Sequence, residues 1–366
     1  MRQDTDKNTA DGIDPGRRRG RGAVSNRASR YEPQREDTHD GWEIEEERPL
    51  FRTNVELEEP RSVITRNISP DVLFDRSINP YRGCEHGCIY CFARPTHAYL
   101  GYSAGLDFET RLVARPNAPE VLKRELRKRS YRAAPLAIGT NTDPYQPLEK
   151  THEIMRRLLI VLRDFQHPVG IVTKGTLIER DIDILSQMAA RGLVHVGISV
   201  TTLDPKVSRL MEPRVPMPAR RLQTIRRLTE AGIPVRLMMA PVIPALTDHE
   251  VENILQSGAE MGAKAASWIM LRLPLEVSEL FREWLDTHFP DRAGRIMARV
   301  REMHGGQDYD ARWGRRMRGE GNYAQMIALR VEKAMKRFGL EGDLPAQRCD
   351  LFRPPLAQGD QLALFE

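Results

Sequence analysis

The chain is poor in cysteine. Only four occur in 366 residues, and three of them, Cys84, Cys88 and Cys91, lie within eight positions. Neighbours this close strain a bridge, so a disulfide framework is not expected. No stretch of eighteen apolar residues exists, which argues against a membrane-spanning helix. The first residues are polar and charged and lack the apolar core of a secretory leader. These absences together lead us to expect a protein of the reducing cytoplasm. A second C-x2-C pair is also missing, so a four-thiolate zinc site would lack half its ligands.

Charge is unevenly spread. Residues 16–30 carry six arginines and no acid, and residues 31–60 carry eleven acids against three bases. Residues 1–60 hold eleven bases and fifteen acids, which leaves about +9 for the rest of a chain whose net charge is +5. A basic body suits a polyanionic partner, although a merely solvated basic surface accounts for the charge equally well. With few apolar residues and separate charge blocks, residues 1–58 are expected to be disordered.

From about residue 60 the pattern is that of a folded domain. Apolar runs at Leu136–Gly139, Val169–Thr173, His195–Val200, Val235–Ala240 and Ala266–Leu271 read as strands. Helical periodicity separates them, for example Ile154, Leu158, Leu159 and Leu162, then Leu222, Ile225 and Leu228. With Ser77–Gly83 as a first strand, the chain reads as six βα units and an α/β fold on a parallel sheet. Residues 59–275 make this core. A helical extension follows over 276–342, and 343–366 reads as an extended tail rich in Pro and Gly.

The cysteine triplet follows the first strand as Cys84-x3-Cys88-x2-Cys91, with the aromatic Tyr90 before its last member. Three thiolates in this spacing can hold an iron–sulfur cluster and leave one iron open to a ligand. His86 or His97 could instead complete a zinc site. The motif resembles the signature of the radical S-adenosylmethionine (radical SAM) enzymes. That resemblance implies a partial (β/α)6 barrel, a [4Fe–4S] cluster on Cys84, Cys88 and Cys91, and SAM as second cofactor. It also implies an electron donor as partner and a 5′-deoxyadenosyl radical as the reacting species.

In a parallel barrel the functional groups stand at the C-terminal strand ends. There Lys174 could pair the SAM carboxylate, and Thr142 and Ser199 could bond its polar groups. Tyr90, Asn141 and Asp143 complete the expected cofactor-binding set. Ordinary strand-end capping and an exposed loop cation are the plainer readings of the same residues. Thr142-Asp-Pro-Tyr-Gln-Pro147, Thr173-Lys174, and Met211-Glu-Pro-Arg214 before Arg220-Arg-Leu222 resemble the branch related to spore photoproduct lyase, over about residues 60–340. In that lyase a cysteine at the end of strand 2 returns a hydrogen atom to the product radical. Here Ile138–Asp143 has no cysteine, and Thr140 or Asn141 takes the place. An alkyl O–H or amide N–H is too strong a bond for the task, so photoproduct reversal by that route is not expected. Cys349 reads as a substitute donor, as a cap on the open iron, or as an unremarkable thiol.

Two further segments suggest partners. Residues 309–319 interleave Trp313 with Arg312, Arg315, Arg316 and Arg318. Guanidinium groups pair phosphates and an indole stacks on a base, so this segment is a candidate nucleic-acid contact. The basic run in 119–132 is more simply a solvated helix face. The final Gln361-Leu362-Ala-Leu364-Phe365 resembles the peptide by which bacterial replication and repair proteins dock on the polymerase sliding clamp. The expected function is a radical SAM enzyme acting on nucleic acid, with DNA repair as one role and no membrane partner. Radical modification of RNA or protein, or a non-catalytic metal-binding module, are the alternatives.

Overall fold

The computed structural model describes residues 13–31, 50–72 and 74–356. Ten strands are present among these: β1 Asn54–Leu57, β2 Thr65–Arg66, β3 Arg76–Ile78, β4 Tyr81–Arg82, β5 Arg111–Ala114, β6 Leu136–Ile138, β7 Val169–Thr173, β8 Val194–Ser199, β9 Val235–Val242 and β10 Ala265–Met270. Seven of them form one open sheet in the order β10-β9-β8-β7-β6-β3-β2. All neighbours in it are parallel except the short antiparallel pair β2–β3. The six expected strands are therefore β3 and β6 to β10, in sequence order across the sheet, as a partial barrel requires. The first is shorter than expected. Asn79-Pro80 separates β3 from β4, because proline has no N–H to donate to a ladder.

β3, β6 and most of β8 are buried throughout, while β7 and β9 alternate buried with half-buried positions. Helices 154–164, 182–189, 218–230 and 251–260 cover the outside through the faces that carry Leu158, Leu185, Ile225 and Ile254. Helices 276–288, 290–303 and 321–337 form the expected C-terminal extension. The first two join the cysteine loop in a second apolar cluster, in which Phe281, Trp284, Ile296 and Val300 meet Ile89, Tyr90 and Met211. None of the described helices is long and apolar enough to cross a membrane.

The expectation of disorder over 1–58 is corrected where the chain is described. Residues 13–31 form a strap on the cysteine loop, and residues 54–57 pair with β5. The reason is pairing rather than hydrophobicity: Arg21 donates to the carbonyls of Glu109 and Phe51 and to the Thr53 hydroxyl. The tail also packs. Gln347 donates to the carbonyls of Val169 and Leu193, and the Phe352 ring meets Phe165, His167 and Tyr131. It thus crosses the N-terminal end of the sheet, opposite the cysteines. Cys349 lies on this side, away from the triplet's cavity.

Candidate active site

A cavity of about 300 Å³ opens at the C-terminal strand ends. Cys84, Cys88 and Cys91 line it together with His86, Tyr90, Asn141, Thr142, Asp143, Lys174 and Ser199. The structure thus brings all three loop cysteines and all six expected cofactor residues to one space. All four cysteines of the chain are free thiols. Burial pushes the Cys84 and Cys88 thiols up from their ordinary range, so a cationic partner is needed to hold them as thiolates. Three reduced thiols around one cavity, with no fourth cysteine beside them, suit a cluster with one open iron.

The loop is held by a buried network that the sequence did not reveal. Arg94 and Glu109 are both fully buried and pair at 2.5 Å. The Arg94 guanidinium also donates to the carbonyls of Gly87, Cys88, Ala104 and Gly105. Glu109 accepts from the backbone N–H groups of Gly22 and Ala23 in the strap. Strap, cysteine loop and the turn before β5 are therefore one unit. Contact at Gly22 is so close that a Cβ there would stand 1.9 Å from the Gly87 carbonyl oxygen. Gly22→Ala is expected to lift the strap off the loop. Limited trypsin digestion should then cut at the strap arginines within minutes in the variant, while the native protein holds out.

Behind Tyr90 lies a second buried pair. Arg221 and Glu212, both fully buried, meet at 2.8 Å, and Arg221 also donates to the Ser199 carbonyl. Glu212 accepts from Tyr90 and from the Thr201 hydroxyl at 2.9 Å. Burial works against the Glu212 charge, but Arg221 and Lys174 outweigh it and lower its pKa. These residues belong to Met211–Arg214 and Arg220–Leu222. Their place in the fold is now explicit: they fix the triplet's aromatic residue against the end of β8.

Not every expected cofactor residue presents free polar atoms. Asp143 accepts from the Thr173 hydroxyl, the Lys174 N–H and the Tyr145 N–H. His86 Nδ1 stands 3.3 Å from its other face, without hydrogen-bond geometry. Burial raises the Asp143 pKa, yet His86 and these donors outweigh it and bring it down to about 2. The Thr142 hydroxyl donates to the Tyr81 carbonyl. Asp143 and Thr142 therefore tie the loop after β6 to β7 and β4. Lys174 keeps its ammonium over the Tyr90 ring at 5.7 Å. Its burial opposes the charge, and Cys88, Glu212 and Asp143 more than restore it, so its pKa is raised. The side chains of Ser199 and Asn141 line the cavity, and among the described residues neither side chain makes a hydrogen bond to the protein. The Ser199 carbonyl, a backbone group, accepts from Arg221.

The arginine-rich segment reaches the cavity through Met317, whose carbonyl accepts from Met270 in β10. Its cations are mostly engaged. Arg312 pairs with Asp310, Arg315 with Glu320 and Arg316 with Asp71, while Arg318 stacks on Trp268. Trp313 is 58% exposed. Residues Gln361, Leu362, Leu364 and Phe365 lie outside the described residues.

Comparison with known proteins agrees with this geometry. The family model of the radical SAM superfamily matches residues 78–257. The chain belongs to the radical SAM superfamily. A Mycobacterium tuberculosis protein described as uncharacterised is 35% identical over 74% of this chain and 76% of its own length. A similar protein of Methanocaldococcus jannaschii is 26% identical over 58% of this chain and 76% of its own. Among solved structures, spore photoproduct lyase complexed with dinucleoside spore photoproduct superposes with a TM-score of 0.53. That match covers 78% of each chain at 15% identity, so it concerns the fold. A double mutant of the lyase was solved with bound AdoMet and dinucleoside spore photoproduct, also at a TM-score of 0.53. The protein is thus an enzyme of a superfamily that uses a [4Fe–4S] cluster and SAM and draws on an electron donor.

Proposed function

We propose that this radical SAM enzyme acts on nucleic acid, in damage repair in the cytoplasm. Cys84, Cys88 and Cys91 would hold the cluster. Lys174 would pair the SAM carboxylate, Ser199 and Asn141 would bond its polar atoms, and Tyr90 would wall the pocket. A cluster and SAM held by these residues would supply one-electron radical chemistry. Thr142 and Asp143 act one step back, by fixing the loop that carries Asn141.

The observation that carries the substrate reading is the segment 309–319. It lines the cavity with Met317 and holds Trp313 out to solvent beside four arginines. An exposed indole is a stacking platform for an unstacked base. The ion pairs of Arg312, Arg315 and Arg316 are partly solvated, so phosphates can compete for them. The tail after 343 leads toward the end of the barrel opposite the cavity. Gln361, Leu362, Leu364 and Phe365 would dock the protein on the sliding clamp.

Two experiments test these readings. Anaerobic reconstitution with iron and sulfide, then reduction with SAM, should yield 5′-deoxyadenosine, and Cys88→Ala should abolish it. A fully loaded cluster that leaves SAM intact would defeat the assignment. Trp313→Ala is expected to weaken retention of a single-stranded oligonucleotide by roughly tenfold, the value of one base stack. If RNA or a peptide is retained through Trp313 and DNA is not, the substrate reading changes to that polymer.

A further inference from the structure

Two cationic side chains line the cavity, Lys174 at the end of β7 and Arg272 just after β10. Three strand spacings separate them, about 14 Å along the sheet. Lys174 is balanced by Cys88, Glu212 and Asp143. For Arg272, burial and the neighbouring Arg316 outweigh the favourable charges of Tyr309, Cys91 and Asp71. Among the described residues no carboxylate lies within ion-pairing distance of it, and none of its donors makes a recorded hydrogen bond. The neighbouring Arg312, Arg315 and Arg316 each hold an acid, and the nearest one, Asp71, is taken by Arg316 and by the Gly314 N–H.

The one contact recorded for the Arg272 guanidinium is with the Phe92 ring, 4.3 Å from its centroid. Stacking fixes the plane of the fork and leaves its edge donors open. Phe92 directly follows Cys91 and is 45% exposed. The surrounding wall is apolar: Val72, Phe74, Ile269, Met270 and Met317. A half-buried cation with five unmet donors is costly to keep unless a ligand meets it.

We propose that Arg272, held by Phe92, is a substrate subsite that grips a phosphodiester oxygen while the apolar wall takes the attached base. This rests on the radical reading above and names the substrate group that reading leaves open. The planar fork matches two oxygens of a phosphate at once. A base offers the apolar wall a flat face, and the exposed Trp313 on the Met317 segment extends the surface to a neighbouring base. An acidic peptide side chain would satisfy the fork, but it would leave the apolar wall unfilled.

The test uses cluster-loaded protein with SAM and two probes, a thymidine dinucleotide and its methylphosphonate twin, in which a methyl group replaces the charged phosphate oxygen. Equilibrium dialysis should show the native protein binding the charged probe about tenfold more tightly. Arg272→Gln should erase that preference, and Arg272→Lys should recover part of it. Should Arg272→Gln lose its cluster, Arg272→Lys alone decides, since a point charge without the fork must discriminate less. Equal binding of both probes by the native protein, or undiminished preference in the variants, would overturn the subsite. Saturation by a glutamate-containing peptide but not by the dinucleotide would overturn its nucleotide assignment. Substrate-free cleavage of SAM by the native protein tests the radical reading separately.

Discussion

Glu109→Ala is expected to cost about 3–5 kcal/mol and to release the cysteine loop. The carboxylate is fully buried and has three partners: the Arg94 guanidinium, the Gly22 N–H and the Ala23 N–H. Its removal leaves a buried cation without a counter-charge and two backbone donors without acceptors. The site is closed over by the strap, which lies directly on Gly87. Replacing both charges with apolar residues often rescues a buried pair. Here it should not, because Arg94 also satisfies the carbonyls of Gly87, Cys88, Ala104 and Gly105. Urea denaturation of Glu109→Ala and of the double variant Arg94→Met/Glu109→Ala checks both statements. Recovery of the native midpoint by the double variant would show that the pair serves charge alone. Loss of the cluster's visible absorbance should accompany the single change, since the same loop carries all three cysteines.

Sequence made the barrel legible because each of its strands after the first is a run of buried apolar residues set between helical periodicities. The cysteine spacing was equally plain, being local. Nonlocal pairing was not visible. Nothing in the sequence marks Arg21 and Arg94 as buried, because Glu109 and the row of carbonyls around them lie elsewhere in the chain. For the same reason residues 13–31 looked too polar to fold: their burial rests on backbone donors and one distant carboxylate, not on an apolar face. Glu212 and Arg221 carried the family resemblance, but only the fold shows that they clamp Tyr90. Asp143 was expected to bond the cofactor, and nothing in the sequence showed that its oxygens meet the Thr173 hydroxyl and the N–H groups of Lys174 and Tyr145. Arg272, at the end of the sixth strand, was given no role for the opposite reason, since the absence of an ion-pair partner leaves no mark on a sequence.

Acid should destabilise the closed end of the barrel through His167. The ring is fully buried, with Nδ1 donating to the Pro168 carbonyl at 2.9 Å and Nε2 accepting from the Tyr131 hydroxyl at 2.7 Å. That arrangement describes a neutral imidazole. A proton on Nε2 would face the Tyr131 hydroxyl and force it to turn, beside the charged Arg76. Burial is the main cause that lowers the His167 pKa to about 4, and Arg76 adds to it against the pull of Pro168. An unfolded histidine titrates near 6.5. Above that value both states are neutral and the stability from the buried ring is fully present. As pH falls from about 6.5 to about 4 the unfolded chain takes up the proton first, and roughly 3 kcal/mol is lost. The Phe352 ring of the tail packs edge-on against the same imidazole, so the tail should loosen over this range. His167→Gln keeps hydrogen-bonding capacity and removes the titration. Chemical denaturation at pH 7 and pH 4.5 should show a markedly smaller pH loss in the variant than in the native protein. An identical loss in both would mean that the acid sensitivity arises from other groups.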